Sequence, residues 1–373
     1  MKSSLYLGQV AKIKVFIHWT FLLLIGYIVY SGVSAGQTLE EICWHILFIL
    51  TIFFCIVLHE FGHALMGRRF GFKTKDIILL PIGGVARFEK LPEKPQQEFL
   101  VAIAGPMVNF AIALILYVTT SSDLADIMNQ RPVNLVNAES FLTLLWMVNL
   151  TLGVFNLIPA FPMDGGRIFR AFLSIFQPRE KATKIAAAVG FLVAIAFIFM
   201  GLFYNPFLII MGAFIILAAS SESNMVSTQA LLEGHTAGEI VMRSFATLDQ
   251  NLTIAEASEA ILDGQASNFT ITTDADRIIG TLKREQVIQA LANSESHKKP
   301  VTSIMDPVNQ TITADTPLKD LYTNELIRTN TMIPVTYQGM VIGVINFENI
   351  MEFLAIKQAT PLWKNLLQKN RST

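Results

Sequence analysis

The chain has 373 residues, of which 52% are hydrophobic and 15% are charged, against about a quarter charged in an ordinary soluble domain. A formal net charge of -1 excludes the global basic field that draws nucleic acid, and the apolar excess excludes a plain soluble globule. That much apolar surface needs lipid.

Apolar runs recur over roughly the first 220 residues, about six of them near the length that a bilayer core about 30 Å thick requires. They cover approximately 16–30, 42–66, 99–119, 141–158, 185–203 and 206–220, the last two joined at Tyr204-Asn205-Pro206. No small-residue cleavage site follows the first run, so it reads as a retained membrane helix. His18 falls inside that run and is expected to face the bundle interior and line a cavity; His45, His235 and His297 read as boundary or solvated residues. Cys43 and Cys55 share the second run twelve positions apart, too far along one helix for a disulfide.

Positive charge fixes the expected orientation. Lys2, Lys12 and Lys14 precede the first span. Arg68, Arg69, Lys73, Lys75, Arg87, Lys90 and Lys94 follow the second, and Arg167, Arg170, Arg179, Lys181 and Lys184 follow the fourth. The opposite loops carry almost none: 31–41 has no Lys or Arg, and 121–140 has only Arg131. A multi-pass protein of the cell membrane with both termini in the cytosol is the expected arrangement.

Between the second and third spans, residues 77–88 (Ile77-Ile78-Leu79-Leu80-Pro81-Ile82-Gly83-Gly84-Val85-Ala86-Arg87-Phe88) are short and β-prone. They are expected to form a small re-entrant β element whose edge pairs with an unwound substrate segment. The alternative is a juxtamembrane loop with a hairpin turn at Gly83-Gly84.

After about Ser221 the composition becomes that of a soluble domain, and a repeat of roughly 60 residues appears. Gly238-Glu239-Ile240-Val241-Met242 and Val301-Thr302-Ser303-Ile304-Met305 open the two units. Each continues with a helix (254–262; 318–328), a strand, and a second strand closing on glycine (Ile278-Ile279-Gly280; Val341-Ile342-Gly343). The expected domains are 1–222 in the membrane, 235–296 and 300–358 as the two repeats, and a tail at 359–373.

The chemistry concentrates in His59-Glu60-Phe61-Gly62-His63. On a helix, positions i and i+4 share a face, so both imidazoles can ligate one metal while Glu60 acts as a base on the attacking water. Ionisable groups inside an apolar span are costly and need a partner, which favours a metal site over a solvated face. A third ligand is sought elsewhere, and Asp164 in Asn156-Leu157-Ile158-Pro159-Ala160-Phe161-Pro162-Met163-Asp164-Gly165-Gly166-Arg167 is the candidate. Taken alone this segment is also a plain turn after a proline-terminated helix. The charge rule brings the second and fourth spans to the cytosolic side together, so His59, His63 and Asp164 arrive at one depth, with His59 about 24 Å along its helix from Cys43.

These two motifs together resemble the site-2 protease family of intramembrane metalloproteases, over roughly residues 10 to 220. Ile17-His18-Trp19, Pro81-Ile82-Gly83-Gly84-Val85 and Ala104-Gly105-Pro106-Met107-Val108-Asn109 extend the match. The resemblance is to the branch with two C-terminal cystathionine-β-synthase (CBS) domains and no PDZ domain. It implies a polytopic α-helical membrane protein followed by an α/β tandem CBS pair. It also implies one zinc held by His59, His63 and Asp164, with Glu60 as general base, in a zinc endopeptidase whose substrates are transmembrane proteins. Asn156 either donates to the developing oxyanion or caps backbone freed by Pro159.

The CBS resemblance implies an adenine-nucleotide ligand, a regulatory role and pairing into a homodimer. Where the family carries a ribose-holding carboxylate, this chain has Gln286 and Asn349, preceded by Lys283 and Asn346, which sets a purely structural or dimerising pair against the nucleotide reading. A CBS-gated metal transporter or channel is the competing function, and Glu60 separates the two: transport needs ligands only, hydrolysis also needs a base that does not ligate.

Overall fold

A computed structural model describes residues 4–81, 83–88, 92, 94–120, 136–138, 140–264, 266–275, 277–308, 310–328 and 331–371. Lys2, Ile82, Lys90 and Arg131, invoked above, lie outside the described residues. The chain divides into two compact units, Met1–Val226 and Ser227–Thr373.

The first unit opens with a hairpin, β1 (Ser4–Val10) and β2 (Ile13–His18), turned at Ala11 and Lys12, both with positive φ of 50° and 66°. Residues 16–18, expected to begin the first span, are the end of β2; the apolar helix α1 runs only from Phe21 to Ser34. The alternation in which Ile13 and Val15 are buried while Lys14 is not is the period-2 signature of a strand, and it overrides the apolar run. His18 is accordingly not on a helix; its Nδ1 hydrogen-bonds Thr20 Oγ1 at 2.8 Å.

Helix α2 (Leu39–Arg69) starts at a capping box, in which Thr38 Oγ1 accepts from the Glu41 N–H and the Glu41 carboxylate accepts from the Thr38 N–H. Arg68 and Arg69 complement the helix dipole in its last turn. The segment at 77–88 falls in two strands, β3 (Thr74–Leu80) and β4 (Gly83–Phe88), which pair antiparallel with Leu80 opposite Gly83, and Pro81 follows the first strand. β2 pairs in parallel with β3, giving a sheet ordered β1-β2-β3-β4 with β4 at one edge. Ile13, Val15 and Ile77 from the sheet pack on Phe61 and Ala64 of α2, which lays the sheet against the helix that carries the histidines.

Then come α3 (Pro95–Thr120), α4 (Phe141–Asn156), α5 (Asp164–Leu173), α6 (Arg179–Phe203) and α7 (Phe207–Leu232). Among the described residues α2, α3, α6 and α7 are long and apolar enough to cross a membrane; α1 and α4, with 14 and 16 residues, are shorter apolar helices.

The second unit contains α8 (Ala237–Ile240), β5 (Thr247–Asp249), α9 (Ile254–Asp263), β6 (Asn268–Thr272), β7 (Ile278–Lys283), α10 (Arg284–Leu291), β8 (Asp306–Pro307), β9 (Ile312–Thr313), α11 (Leu318–Tyr322), α12 (Glu325–Arg328), β10 (Ile333–Tyr337), β11 (Met340–Ile345) and α13 (Phe347–Arg371). Two sheets, β5-β6-β7-β8 and β11-β10-β9, each have their own apolar core, one around Phe269, Ile271 and Leu282, the other around Val335, Ile345 and Ile350. The repeats exchange their openings. β8, just after the second opener, pairs with β7 of the first repeat, while Met242 of the first opener bridges Val344 of the second.

Candidate metal centre

One turn of α2 separates His59 from His63, so both rings leave the same face, and α5 begins at Asp164 opposite them. An acidic residue in the first turn of a helix is favoured by the helix dipole, which suits Asp164 to remain a carboxylate there. The three side chains are buried and converge: His59 Nε2 to His63 Nε2 is 3.1 Å, His63 Nε2 to Asp164 Oδ2 is 3.1 Å, and His59 Nε2 to Asp164 Oδ2 is 3.2 Å. The structure thus brings together the three residues that the sequence named.

This triangle fits zinc. Donor atoms around a tetrahedral ion with 2.0–2.1 Å bonds stand about 3.3 Å apart. Each imidazole has its other nitrogen committed: His59 Nδ1 lies 2.6 Å from Asn109 Oδ1, and His63 Nδ1 donates to the Val101 carbonyl at 2.7 Å. Two imidazole lone pairs and a carboxylate oxygen at such spacing repel one another unless a cation lies among them.

Helix α3 organises the site from one face. Glu98, Val101, Gly105 and Asn109 recur at helical spacing and are all buried. Val101 and Asn109 hold the two imidazoles, and Gly105 vacates the space in front of them: a Cβ there would fall 2.2 Å from His63 Nε2 and 2.7 Å from His59 Nε2. Glu98 reaches the other way, to Arg170 of α5. Arg170 is only 2% exposed; its Nε donates to Glu98 Oε1 at 2.8 Å, Nη2 donates to the same oxygen, and Nη1 donates to Glu222 of α7. Arg179 adds a contact to Glu98 Oε2 at 3.6 Å, and the Arg170 guanidinium lies 5.1 Å from the centre of the Phe161 ring. The helix that begins with Asp164 is thus tied to α3 and α7 through buried charge.

Glu60, half-buried, points to the sheet. Its Oε2 accepts from the Ala86 N–H of β4 at 3.1 Å, and β4 comes this close because Gly84 has no Cβ, which would meet Glu60 Cγ at 2.8 Å. Asn156, at the end of α4, donates its amide to the Leu152 carbonyl at 3.0 Å, within its own helix. Asn109, Asn149 and Glu98 received no site role from sequence, and Arg170, read there as a cytosolic loop charge, is instead a buried residue of α5 paired with Glu98 and Glu222. The signal was present: a polar residue inside an apolar span is expensive and seldom idle.

The profile of Peptidase family M50 matches residues 47–132 and 122–198, and that of the CBS domain matches 301–356. A zinc metalloprotease of Methanocaldococcus jannaschii is 32% identical over 358 residues, covering 95% of this chain and 97% of that protein. The solved site-2 protease from Methanocaldococcus jannaschii is 35% identical and covers 59% of this chain and 95% of that one, with a TM-score of 0.44. The chain belongs to Peptidase family M50, the site-2 protease family of intramembrane zinc metalloproteases, and its C-terminal unit contains a CBS domain. Zinc is its metal and hydrolysis of membrane-protein substrates its activity, which removes the ground for the transporter reading.

Proposed function

We propose that His59, His63 and Asp164 are the zinc ligands and that Glu60 is the general base. The mutual spacing of 3.1–3.2 Å among the three donor atoms carries this reading. Bound there, zinc supplies a Lewis acid that polarises the scissile carbonyl and makes water nucleophilic near neutral pH. Glu60, one position beyond His59, takes the proton from the attacking water at a carboxylate oxygen and returns it to the leaving amine. The bond from Ala86 N–H keeps that carboxylate beside β4, whose free edge offers backbone to an unwound substrate strand. Asn156 serves the oxyanion only by leaving the Leu152 carbonyl. Asn156→Ala separates its two roles, since a kcat loss of about 100-fold or more at unchanged zinc content marks the oxyanion role.

The decisive experiment is Glu60→Gln. Zinc should stay bound while cleavage of a transmembrane substrate vanishes; cleavage that persists overturns the mechanism.

The loops rich in Lys and Arg put both termini in the cytosol and the site near the cytosolic face, and accessibility of single cysteines placed near residues 10 and 360 to an impermeant reagent tests this. The proposed domain limits are 1–222, 235–296 and 300–358, with a tail at 359–373. In the C-terminal unit a cleft of about 240 Å³ lined by Thr281, Pro307, Met332, Ile333 and Pro334 is the proposed place for an adenine nucleotide. The residues at the ribose positions are engaged in helix capping: Gln286 accepts from the Lys283 N–H, and Asn346 and Asn349 cap one another's backbone N–H groups. Calorimetric titration with AMP and ATP decides between a sensor and a structural or dimerising pair, for which exposed Leu262 and Ile288 offer apolar contact.

A further inference from the structure

Behind His59 stand two fully buried asparagines, Asn109 of α3 and Asn149 of α4, in a line of hydrogen bonds whose direction is fixed at its far end. The Leu145 carbonyl can only accept, so the Asn149 group 2.9 Å from it is the NH2, which also reaches Cys55 Sγ at 3.5 Å. That turns Asn149 Oδ1 toward Asn109, 3.4 Å from its Nδ2. An amide oxygen can only accept, so Asn109 must present its NH2 to Asn149 and its Oδ1 to His59 Nδ1, 2.6 Å away. His59 Nδ1 must therefore carry the hydrogen, which leaves the lone pair on Nε2, the atom facing His63 and Asp164.

The two histidines are thus oriented by different means. His63 bonds a backbone carbonyl, Val101, which has no other end to present. His59 bonds an amide, which has two. Turned by 180°, Asn109 would offer its NH2 to Nδ1, draw the hydrogen to Nε2 and remove a donor from the metal.

We propose that Asn149 is a positioning residue for the reaction: it locks the Asn109 amide and, through it, the tautomer in which His59 ligates. The proposal rests on the reading of His59 as a zinc ligand.

The test measures the zinc dissociation constant of the purified full-length protein in detergent by chelator competition. Asn149→Leu should weaken binding by about 10- to 100-fold, the usual effect of losing a partner of a ligating histidine. Asn109→Asp has an oxygen at both ends and accepts from His59 Nδ1 whichever way it lies, so it should suppress that loss. Adding Asn149→Leu to Asn109→Asp should change affinity by no more than about twofold. Equal weakening in both backgrounds, or none in either, overturns the lock. If Asn149→Leu does not fold, nitrogen-15 spectra of the zinc-free wild-type protein read the same point. His59 protonated at Nδ1 supports the proposal, and a ring protonated at Nε2 overturns it. His59→Ala distinguishes the two levels of failure: zinc held as tightly by that variant sinks the ligand reading itself, whereas its loss leaves that reading standing whatever Asn149 does.

Discussion

Arg170 and Glu98 meet inside the membrane unit, where two guanidinium nitrogens donate to a single carboxylate oxygen and Glu222 takes a third. Removing one member of a buried charge cluster leaves the others uncompensated, at a cost of about 3–5 kcal/mol. Arg170→Met should therefore lower the unfolding midpoint in detergent and the fraction of protein that holds zinc, because α5 and its Asp164 lose their anchor. Arg170→Met combined with Glu98→Gln and Glu222→Gln should be the milder change, since neither carboxylate is then left charged without its guanidinium.

Gly105→Ala should abolish zinc binding while the helices still form. The added carbon would fall within 2.7 Å of both imidazole Nε2 atoms, too close for either ring to keep its place. Zinc content measured against helicity by circular dichroism checks this, and full metal occupancy in the variant would contradict the placement of α3.

Gly84→Val should cut cleavage without removing zinc. The new side chain would collide with Glu60 at 2.8 Å and push β4 away, breaking the Ala86 bond that holds the proposed base. A kcat loss of about 10- to 100-fold at unchanged zinc stoichiometry is expected, in keeping with a misplaced general base.

Chelation should destabilise the wild-type protein and hardly affect His63→Ala. A ligand bound only by the folded state contributes RT ln(1 + [L]/Kd), about 4 kcal/mol at a thousandfold excess over Kd. The midpoint should fall on treatment with a chelator and recover with added zinc, and the same treatment of His63→Ala should leave it nearly still.

The proposed ligands were legible because their evidence is local: an i, i+4 spacing in α2, and an acidic residue just past the prolines that follow α4. His18 misled because Val15, Phe16 and Ile17 run on toward the apolar helix α1, and the end of a short strand hides inside such a run. Gly83 and Gly84 do not form the hairpin turn: they pair with Leu80 and Leu79 within the strands, and Gly84 serves the approach to Glu60 instead. The supports of the site were illegible as pairs. Asn109 with His59 and Asn149 with Cys55 are fifty or more positions apart, and no periodicity within one helix names a partner on another.

The exchanged openings of the C-terminal repeats also bear on how this unit can be cut. Gly280 and Thr281 close their sheet on Pro307 and Asp306, while Met242 is lent to Val344 in return. A chain divided near residue 299 would strip β8 from the sheet of the first repeat and the Met242 bridge from that of the second, leaving an edge of each sheet bare. The unit that was duplicated in sequence is thus not the unit that folds: the halves interlock, and a displacement in one half is carried into the backbone of its twin.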